Sequence, residues 1–513
     1  MGTSVKALLG IDVGATGIKA GLFDQSGNLL ASAGRRNGPI EQPGGKPDWM
    51  VWDTERMWAD VCSACREAIA AVRSVEVAGV SVTGFGADGV PMAQDGHQLY
   101  PMISWHCSRT LAQRDWLNKR IEPLAIYRIT GYHNYPINTL NRLRWLREHE
   151  PDALDRAYRW LMVQDYMVYR LTGAFSTEAT IASTTMAFEL NTMTWSKELL
   201  DLVEAPPSIF PTISVPGSVL GTVSKVAAES TGIPFGTPVA TGGHDCEIGA
   251  LGSGVVSPEV FIDITGTWEM IIASLDRFLP LPELFAQGID YEAHTVPGYY
   301  LCQGLMLAGG VVEWVLDSFY RDVPAEGRYQ ALMDEAAATP AGSGGVMVLP
   351  AFVRGMGAFQ ADGATGAILG LTTTSRRGQI ARAVLEACCY QLRKQSEVIS
   401  QNTGAHPRAL RVLGGATRNP LWLQMKADVT GLPVEVPEHS EVTLLGAAML
   451  AGIGAGLYSS ILEAIEATRF PLRQFEPRTA QNSLYSELFH STFMPIAPAL
   501  RAINAELGAR SAS

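Results

Sequence analysis

The sequence Gly10-Ile-Asp-Val-Gly-Ala-Thr-Gly-Ile-Lys19 contains a Gly/Thr turn that separates two apolar runs, residues 7–11 and 18–23. Apolar runs on both sides of a Gly/Thr turn predict two β-strands joined as a hairpin. In such a turn glycine leaves backbone N–H groups uncovered and threonine adds a hydroxyl donor, so the turn is a candidate nest for a phosphate. The candidate residues are Gly14, Ala15, Thr16 and Gly17.

Asp12 ends the first predicted strand and is a candidate residue for Mg²⁺, which usually takes one or two carboxylates and keeps several waters. The hairpin is not a P-loop, because the G-x-x-x-x-G-K-[ST] spacing is absent and the turn leads into a strand instead of a helix. An ordinary β-turn explains this single hairpin equally well.

A similar unit occurs at Phe261-Ile-Asp-Ile-Thr-Gly-Thr-Trp268, where Thr265, Gly266 and Thr267 form the turn. Two such turns facing each other would clamp the β- and γ-phosphates of a nucleotide, which is a more specific signal than either turn alone. Helical patterns alternate with short strands along the chain, which predicts an α/β fold built twice. The Gly/Ser-rich segment 249–258 predicts the boundary, giving domains 1–253 and 254–513.

The composition excludes several classes of protein. Among 513 residues, 39 are Lys or Arg and 51 are Asp or Glu, and the net charge of −12 argues against a nucleic-acid partner. No apolar run approaches the length of a membrane span, and the first one is too short for a signal peptide, so we expect a cytoplasmic protein without a membrane partner. Seven scattered cysteines predict free thiols, and Cys62 and Cys65 fall in a helical pattern that predicts burial.

Two further segments are candidates for chemistry. In Gly414-Gly-Ala-Thr-Arg-Asn419, glycines between a strand and a helix would let a ring or ribose lie against the backbone, and the small residues of the predicted helix 442–454 would form the other wall. Close helix–sheet packing also selects Gly and Ala, and alone it is the better explanation. Asp245 follows a Gly-rich strand end, where an ordinary helix N-cap would explain it and where a catalytic base would also be displayed; the two roles are compatible, because a helix N-terminus keeps a carboxylate ionised.

These segments, in this order, resemble the FGGY carbohydrate kinases of the actin, hexokinase and Hsp70 superfamily, over about residues 6–460. The resemblance implies two ribonuclease-H-like (actin-like ATPase) domains with ATP in the cleft between them. It implies Asp245 as the catalytic base, Asp12 and Asp245 as the residues for Mg²⁺, and the two turns as the phosphate sites. Further nucleotide contacts would fall on Gly309, Glu313, Gly414, Gly415 and Asn419. Glycerol kinases usually have Gln at the position of Glu313.

The sugar site is expected at Asp88, Trp105, Asn138 and Asp245. Glycerol kinases carry Arg-Glu, and D-xylulose kinases Met-His, where this chain has Gly84-Phe-Gly-Ala-Asp-Gly89. The surrounding residues are more similar to kinases of L-fuculose and, less closely, of L-rhamnulose. Asp88 would accept hydrogen bonds from vicinal hydroxyls, and Trp105 would offer an apolar face to the sugar or else is a core aromatic.

The expected activity is therefore an ATP-dependent transfer of the γ-phosphoryl group to O1 of L-fuculose or a related L-ketose. Other acceptors remain open: L-rhamnulose, xylulose, ribulose, erythritol and glycerol. A hypothesis of another class is an actin- or Hsp70-like nucleotide switch with protein partners. The sequence leaves the oligomeric state open, with a homodimer as one option.

Overall fold

The structure is a computed structural model, and it describes residues 5–353, 364–439 and 441–511. Its strands are β1 Val5–Val13, β2 Gly17–Phe23, β3 Leu29–Arg36, β4 Ile40–Glu41, β5 Met50–Trp52, β6 Val75–Gly84, β7 Gly89–Met92, β8 Met102–Ile103, β9 Arg159–Met162, β10 Thr177–Glu178, β11 Phe188–Glu189, β12 Thr194–Trp195, β13 Ile213–Ser214, β14 Val219–Thr222, β15 Pro238–His244, β16 Val260–Thr265, β17 Trp268–Leu275, β18 Ile289–Ala293, β19 Tyr300–Leu307, β20 Met347–Leu349, β21 Ala367–Leu369, β22 Ala409–Gly414, β23 Val434–Pro437 and β24 Leu472–Phe475.

The α-helices pack against these sheets and against one another. They are α1 Thr54–Ala70, α2 Leu111–Asn118, α3 Pro123–Thr130, α4 Thr139–His149, α5 Pro151–Asp155, α6 Val163–Thr172, α7 Ala179–Ser183, α8 Lys197–Leu202, α9 Lys225–Thr231, α10 Asp245–Gly252, α11 Pro282–Ala286, α12 Gly309–Phe319, α13 Ala325–Ala338, α14 Arg377–Thr403, α15 Pro420–Thr430, α16 Val442–Gly454, α17 Ile461–Ala467, α18 Thr479–Leu488 and α19 Met494–Ser511.

Two sheets repeat the same topology, as the sequence predicts. The first has the order β14-β15-β6-β1-β2-β3 and the second β18-β19-β17-β16-β22-β23-β24. In each, a hairpin and a third antiparallel strand (β1-β2-β3, β16-β17-β19) are followed by two parallel strands (β6 and β15, β22 and β23). The fold is thus α/β with two related lobes.

Local signals set the ends of the helices. The side chain of Asp53 accepts a hydrogen bond from the N–H of Arg56 at 3.0 Å and caps α1. Cys62 and Cys65 are buried free thiols in that helix, as predicted. No helix among the described residues is long and apolar enough to cross a membrane.

The helix α16 returns from the second half of the sequence to the first sheet. A Cβ on Gly10 of β1 would lie 2.2 Å from the carbonyl oxygen of Leu444, and one on Gly446 would lie 2.0 Å from that of Ile248 in α10. Glycine at these positions permits backbone-to-backbone packing. The Gly and Ala residues of α16 therefore permit close packing. With a boundary near residue 253, this helix belongs to the second half of the sequence but covers the sheet of the first half.

Candidate active site

Asn37 stabilises the first turn, between β1 and β2, through hydrogen bonds. The N–H of Gly14 donates to the carbonyl of Gly17 at 2.9 Å, which closes the turn. The Asn37 side chain donates to the Gly14 carbonyl at 2.9 Å, and its backbone N–H donates to the Thr16 carbonyl at 3.0 Å. The turn therefore has a fixed shape, with Thr16 exposed and Ala15 and Gly17 half-buried.

Asp12 ends the first strand opposite Lys19. Its Oδ1 atom is shielded from solvent and has no hydrogen-bond partner among the described residues. Burial, with the nearby charges of Asp245 and Glu441, raises the pKa of Asp12 to about 8 against the opposing effect of Lys19. A partly buried carboxylate with an unused oxygen and excess negative charge fits a bound cation, so Asp12 suits Mg²⁺.

Asp245 is the first residue of α10, directly after β15. The helix N-terminus favours a negative charge at this position. Its side chain is 29 % exposed, so the carboxylate is accessible, and its charge contributes to the raised pKa of Asp12. The structure therefore brings these two predicted residues into one negatively charged region.

His244 lies beside Asp245, with Nε2 3.4 Å from Oδ1 of Asp245. Burial alone would lower the pKa of His244, but the charges of Glu292 and Asp245 and the hydrogen bond to Glu292 raise it to about 9. The same contacts hold the pKa of Glu292 below its usual value despite burial. His244, Asp245 and Cys246 present ligand atoms within 4.8 Å of one another, of which the Asp245 oxygen suits Mg²⁺.

The second turn, between β16 and β17, is joined to the start of α12. The N–H of Gly309 donates to the Gly266 carbonyl at 3.1 Å, and that of Gly310 to the Thr267 carbonyl at 3.0 Å. A Cβ on Gly309 would lie 2.3 Å from the Gly266 oxygen, so only glycine permits this approach. Gly266 and Thr267 are exposed. Glu313 is also exposed and lies one helical turn after Gly309.

Thr265 differs from Thr267, because its hydroxyl is committed inside the protein. It is buried and donates to Asp263 at 3.0 Å, while Nζ of Lys426 donates to it at 2.9 Å. Lys426 is fully buried and pairs with Asp263 and Glu269. Burial lowers the pKa of Lys426, but these two carboxylates outweigh it and raise the pKa, so the lysine stays charged.

The predicted adenosine segment lies next to this turn. Gly414 has φ 81°, and a Cβ there would lie 2.5 Å from the Thr265 carbonyl oxygen. Gly414 and Gly415 are exposed, which leaves their backbone accessible. The buried side chain of Asn419 caps α15 by accepting from the N–H of Trp422 at 3.1 Å, and its amide donates to the Tyr329 hydroxyl at 3.1 Å.

Asp88 lies in a buried ion pair and not at an open surface. Its Oδ1 is 2.6 Å from Nη2 of Arg142, and its Oδ2 accepts from Trp52 Nε1 at 2.5 Å and from the Trp105 N–H at 2.9 Å. Asp88 is 0 % exposed and Arg142 is 1 % exposed. In this arrangement both carboxylate oxygens of Asp88, which are expected to accept from sugar hydroxyls, have partners within the protein.

Trp105 is half-buried, and its ring stacks on His106 with centroids 3.7 Å apart. Asn138 is buried, and its side chain accepts from the N–H of Tyr135 at 2.9 Å and donates to the Thr184 carbonyl at 3.2 Å. Of the expected sugar residues, Trp105 and Asp245 keep accessible surface. Asn138 and Asp88 are buried.

The loop that contains Asp88 also reaches His244, the residue before the candidate base. A Cβ on Gly86 would lie 3.0 Å from Nε2 of His244, which makes this loop a neighbour of the His244 ring. Sequence reasoning missed several partners that lie far along the chain from the residues they support, and no spacing signals them: Asn37, Arg142, Glu292 and Lys426.

The two-lobed fold and these accessible turns are those of an actin-like phosphotransferase. The N-terminal and C-terminal domain models of the FGGY family of carbohydrate kinases match residues 7–252 and 264–455. The chain belongs to this family and is an ATP-dependent sugar kinase. This membership decides against the nucleotide switch as its class.

Individual relatives act on different acceptors. The L-fuculokinase of Escherichia coli K12 is 30 % identical over 475 residues, covering 92 % of this chain and 98 % of that protein. A glycerol kinase of Koribacter versatilis is 32 % identical over 483 residues, covering 92 % and 94 %. The crystal structure of a xylulose kinase from Rhodospirillum rubrum matches 97 % of this chain and 100 % of its own, with a TM-score of 0.86 and 26 % identity.

Proposed function

We propose that this kinase phosphorylates O1 of L-fuculose or a closely related L-ketose, with Asp245 as the general base. One observation carries the assignment of the base: Asp245 is accessible at a helix N-terminus, near enough to Asp12 for its charge to raise the pKa of that residue. That position suits a group that must meet a sugar hydroxyl and a phosphate together.

In the proposed reaction the sugar oxygen attacks the γ-phosphorus and the bond from that phosphorus to the β,γ-bridging oxygen breaks. The hydroxyl proton passes to Asp245, and ADP leaves with the electrons of the broken bond. Phosphoryl transfer needs positioning and charge stabilisation more than covalent chemistry, so a carboxylate base suffices. Thr16 and Thr267, with those N–H groups of their turns that are not already hydrogen-bonded, would bind the phosphate oxygens.

Asp12 and Asp245 would hold Mg²⁺, which neutralises phosphate charge when it is bound. The exposed backbone of Gly414 and Gly415 would lie against the adenosine, close to the second turn. Gly309 supports that turn, and we place Asn419 behind the nucleotide as the cap of α15. Glu313 is the remaining proposed contact, with its exposed side chain one helical turn further on.

The choice of L-fuculose is supported by the L-fuculokinase relatives and by the residues around Gly86 and Trp105. Glycerol is the second candidate, because the glycerol kinase relative is 32 % identical. Trp105 would face the C–H groups of the sugar, and such an apolar wall favours a ring or a long carbon chain over a three-carbon polyol.

A coupled assay of ADP release tests the proposal. It would compare L-fuculose, L-rhamnulose, D- and L-xylulose, D- and L-ribulose, erythritol and glycerol at equal concentrations. We expect the highest kcat/KM with L-fuculose, and NMR of the product to place phosphate on O1. A higher kcat/KM for glycerol would transfer the assignment to the second candidate.

A further inference from the structure

Strand β18 of the second sheet brings a carboxylate to the candidate base of the first lobe. It forms backbone hydrogen bonds with β19 on one side, and its Tyr291 N–H donates to the Gly131 carbonyl at 2.8 Å on the other. Glu292, on this strand, is 0 % exposed. Its side chain therefore lies at the junction between the lobes.

Both carboxylate oxygens of Glu292 have fixed partners. Oε1 accepts from Gln303 Nε2 at 2.6 Å and also from the hydroxyl of Tyr132. Oε2 is 2.7 Å from Nδ1 of His244. Because a carboxylate accepts only, Nδ1 carries the proton of that bond, which fixes both the plane of the imidazole and the direction of Nε2.

Nε2 of His244 points into the narrow space between Gly86 and Asp245. It is 3.4 Å from Oδ1 of Asp245, and a Cβ on Gly86 would approach it to 3.0 Å. A rotated imidazole would either collide with the Gly86 loop or leave Asp245 without its neighbour. The three side chains therefore form a line from the second lobe to the candidate base.

We propose that Glu292 is a positioning residue for phosphoryl transfer, which fixes the His244 ring so that Nε2 holds the Asp245 carboxylate in its reactive orientation. This inference rests on the proposed role of Asp245. Glu292 also links the two lobes, because a movement of β18 away from the first lobe would break its hydrogen bond to the His244 ring beside the base.

The test compares Glu292→Gln with Asp290→Asn. Asp290 is a matched control on the same strand: it pairs with His133 at 2.6 Å at the same junction but has no contact with His244 among those described. We expect both variants to lower Tm. Only Glu292→Gln should lower kcat, by about 10- to 100-fold, with the KM values for sugar and ATP changed less than about threefold. An unchanged kcat in Glu292→Gln, or an equal loss in Asp290→Asn, would overturn the proposal.

A double-variant cycle tests whether Glu292 acts through His244. If it does, His244→Asn with Glu292→Gln should lose no more kcat than His244→Asn alone, whereas additive losses would contradict it. Should Glu292→Gln not fold, Glu292→Asp replaces it, because it keeps the charge but shortens the side chain, and we expect it to lower kcat more than Asp290→Asn does. Asp245→Asn in the same assay separates the two hypotheses, since near-normal turnover there would remove the base itself, whatever Glu292 does.

Discussion

Nζ of Lys426 donates a hydrogen bond of 2.9 Å to the hydroxyl of Thr265, directly beneath the second turn. Thr265 and Thr267 are thus chemically alike in sequence but differ in role. The first links β16 to α15 through a buried charge cluster, and the second is exposed. A phosphate contact is accordingly expected from Thr267.

Valine substitution should separate these roles. Thr265→Val leaves the buried Lys426 with one acceptor fewer, so we expect a stability loss of about 1–3 kcal/mol, seen as a lower Tm. Thr267→Val removes an exposed hydroxyl and should leave Tm unchanged while raising the KM for ATP. The reverse pattern, with ATP binding lost only in Thr265→Val, would show that the buried hydroxyl is the phosphate contact.

Asp245→Asn should lower turnover by roughly 10²–10⁴-fold, the usual contribution of a general base. Protection of the variant against thermal unfolding by the sugar should persist, because the amide keeps the shape of the site. Asp201→Asn, on the surface, is a control for the loss of one negative charge. Near-normal turnover in Asp245→Asn would remove Asp245 as the base.

Gly446→Ala should destabilise the protein, because the new methyl would lie 2.0 Å from the Ile248 carbonyl oxygen and force α16 away from α10. We expect a loss of about 1–3 kcal/mol. Gly327→Ala in α13 is the matched control, since its nearest neighbour would be at 3.6 Å, an ordinary contact. Alanine there should raise Tm, because it favours a helix over glycine by about 1 kcal/mol.

His294 predicts a pH dependence of stability. It is 4 % exposed, its Nδ1 accepts from the Val296 N–H at 2.8 Å, and burial lowers its pKa from 6.5 to about 4. Between pH 6.5 and about 4, His294 is protonated in the unfolded chain but neutral in the folded chain. The free energy of unfolding therefore decreases as the pH falls through this range. His294→Asn keeps an acceptor for Val296 and removes this proton.

The Tm difference between the wild type and His294→Asn measures that effect. The free energy of unfolding of the wild type, relative to that of His294→Asn, should be about 2 kcal/mol smaller at pH 5 than at pH 7.5, because each pH unit below the unfolded pKa contributes about 1.36 kcal/mol. A difference that stays constant between these pH values would mean that His294 binds its proton equally well in the folded and unfolded chain, which would contradict the lowered pKa.

The parts of the molecule that sequence predicts are those encoded locally. Each hairpin lies within about twenty residues, and a Gly/Thr turn between apolar runs leaves few other structures. The cap at Asn419, followed by Pro420, likewise places the start of α15. The pairing of β1 with β2 and of β16 with β17 follows from these hairpins.

The environment of Asp88 was not encoded in this way. Its partner Arg142 lies in α4, within a helix whose other residues give no reason to expect a buried charge. Burial places Asp88, an expected sugar contact, in an ion pair with Arg142 and in a hydrogen bond from the backbone of Trp105. Such pairings depend on how distant elements pack, and the spacing of residue types along a chain carries no information about them.

The return of α16 to the first sheet has a consequence for the order of synthesis. On the ribosome, β1 and its neighbours emerge first, but the helix that covers Gly10 and Gly79 ends at residue 454, far behind them. Contacts of such high sequence separation close late. One apolar face of the amino-terminal sheet therefore remains uncovered until most of the chain has been translated. A chaperone would be most needed during this interval.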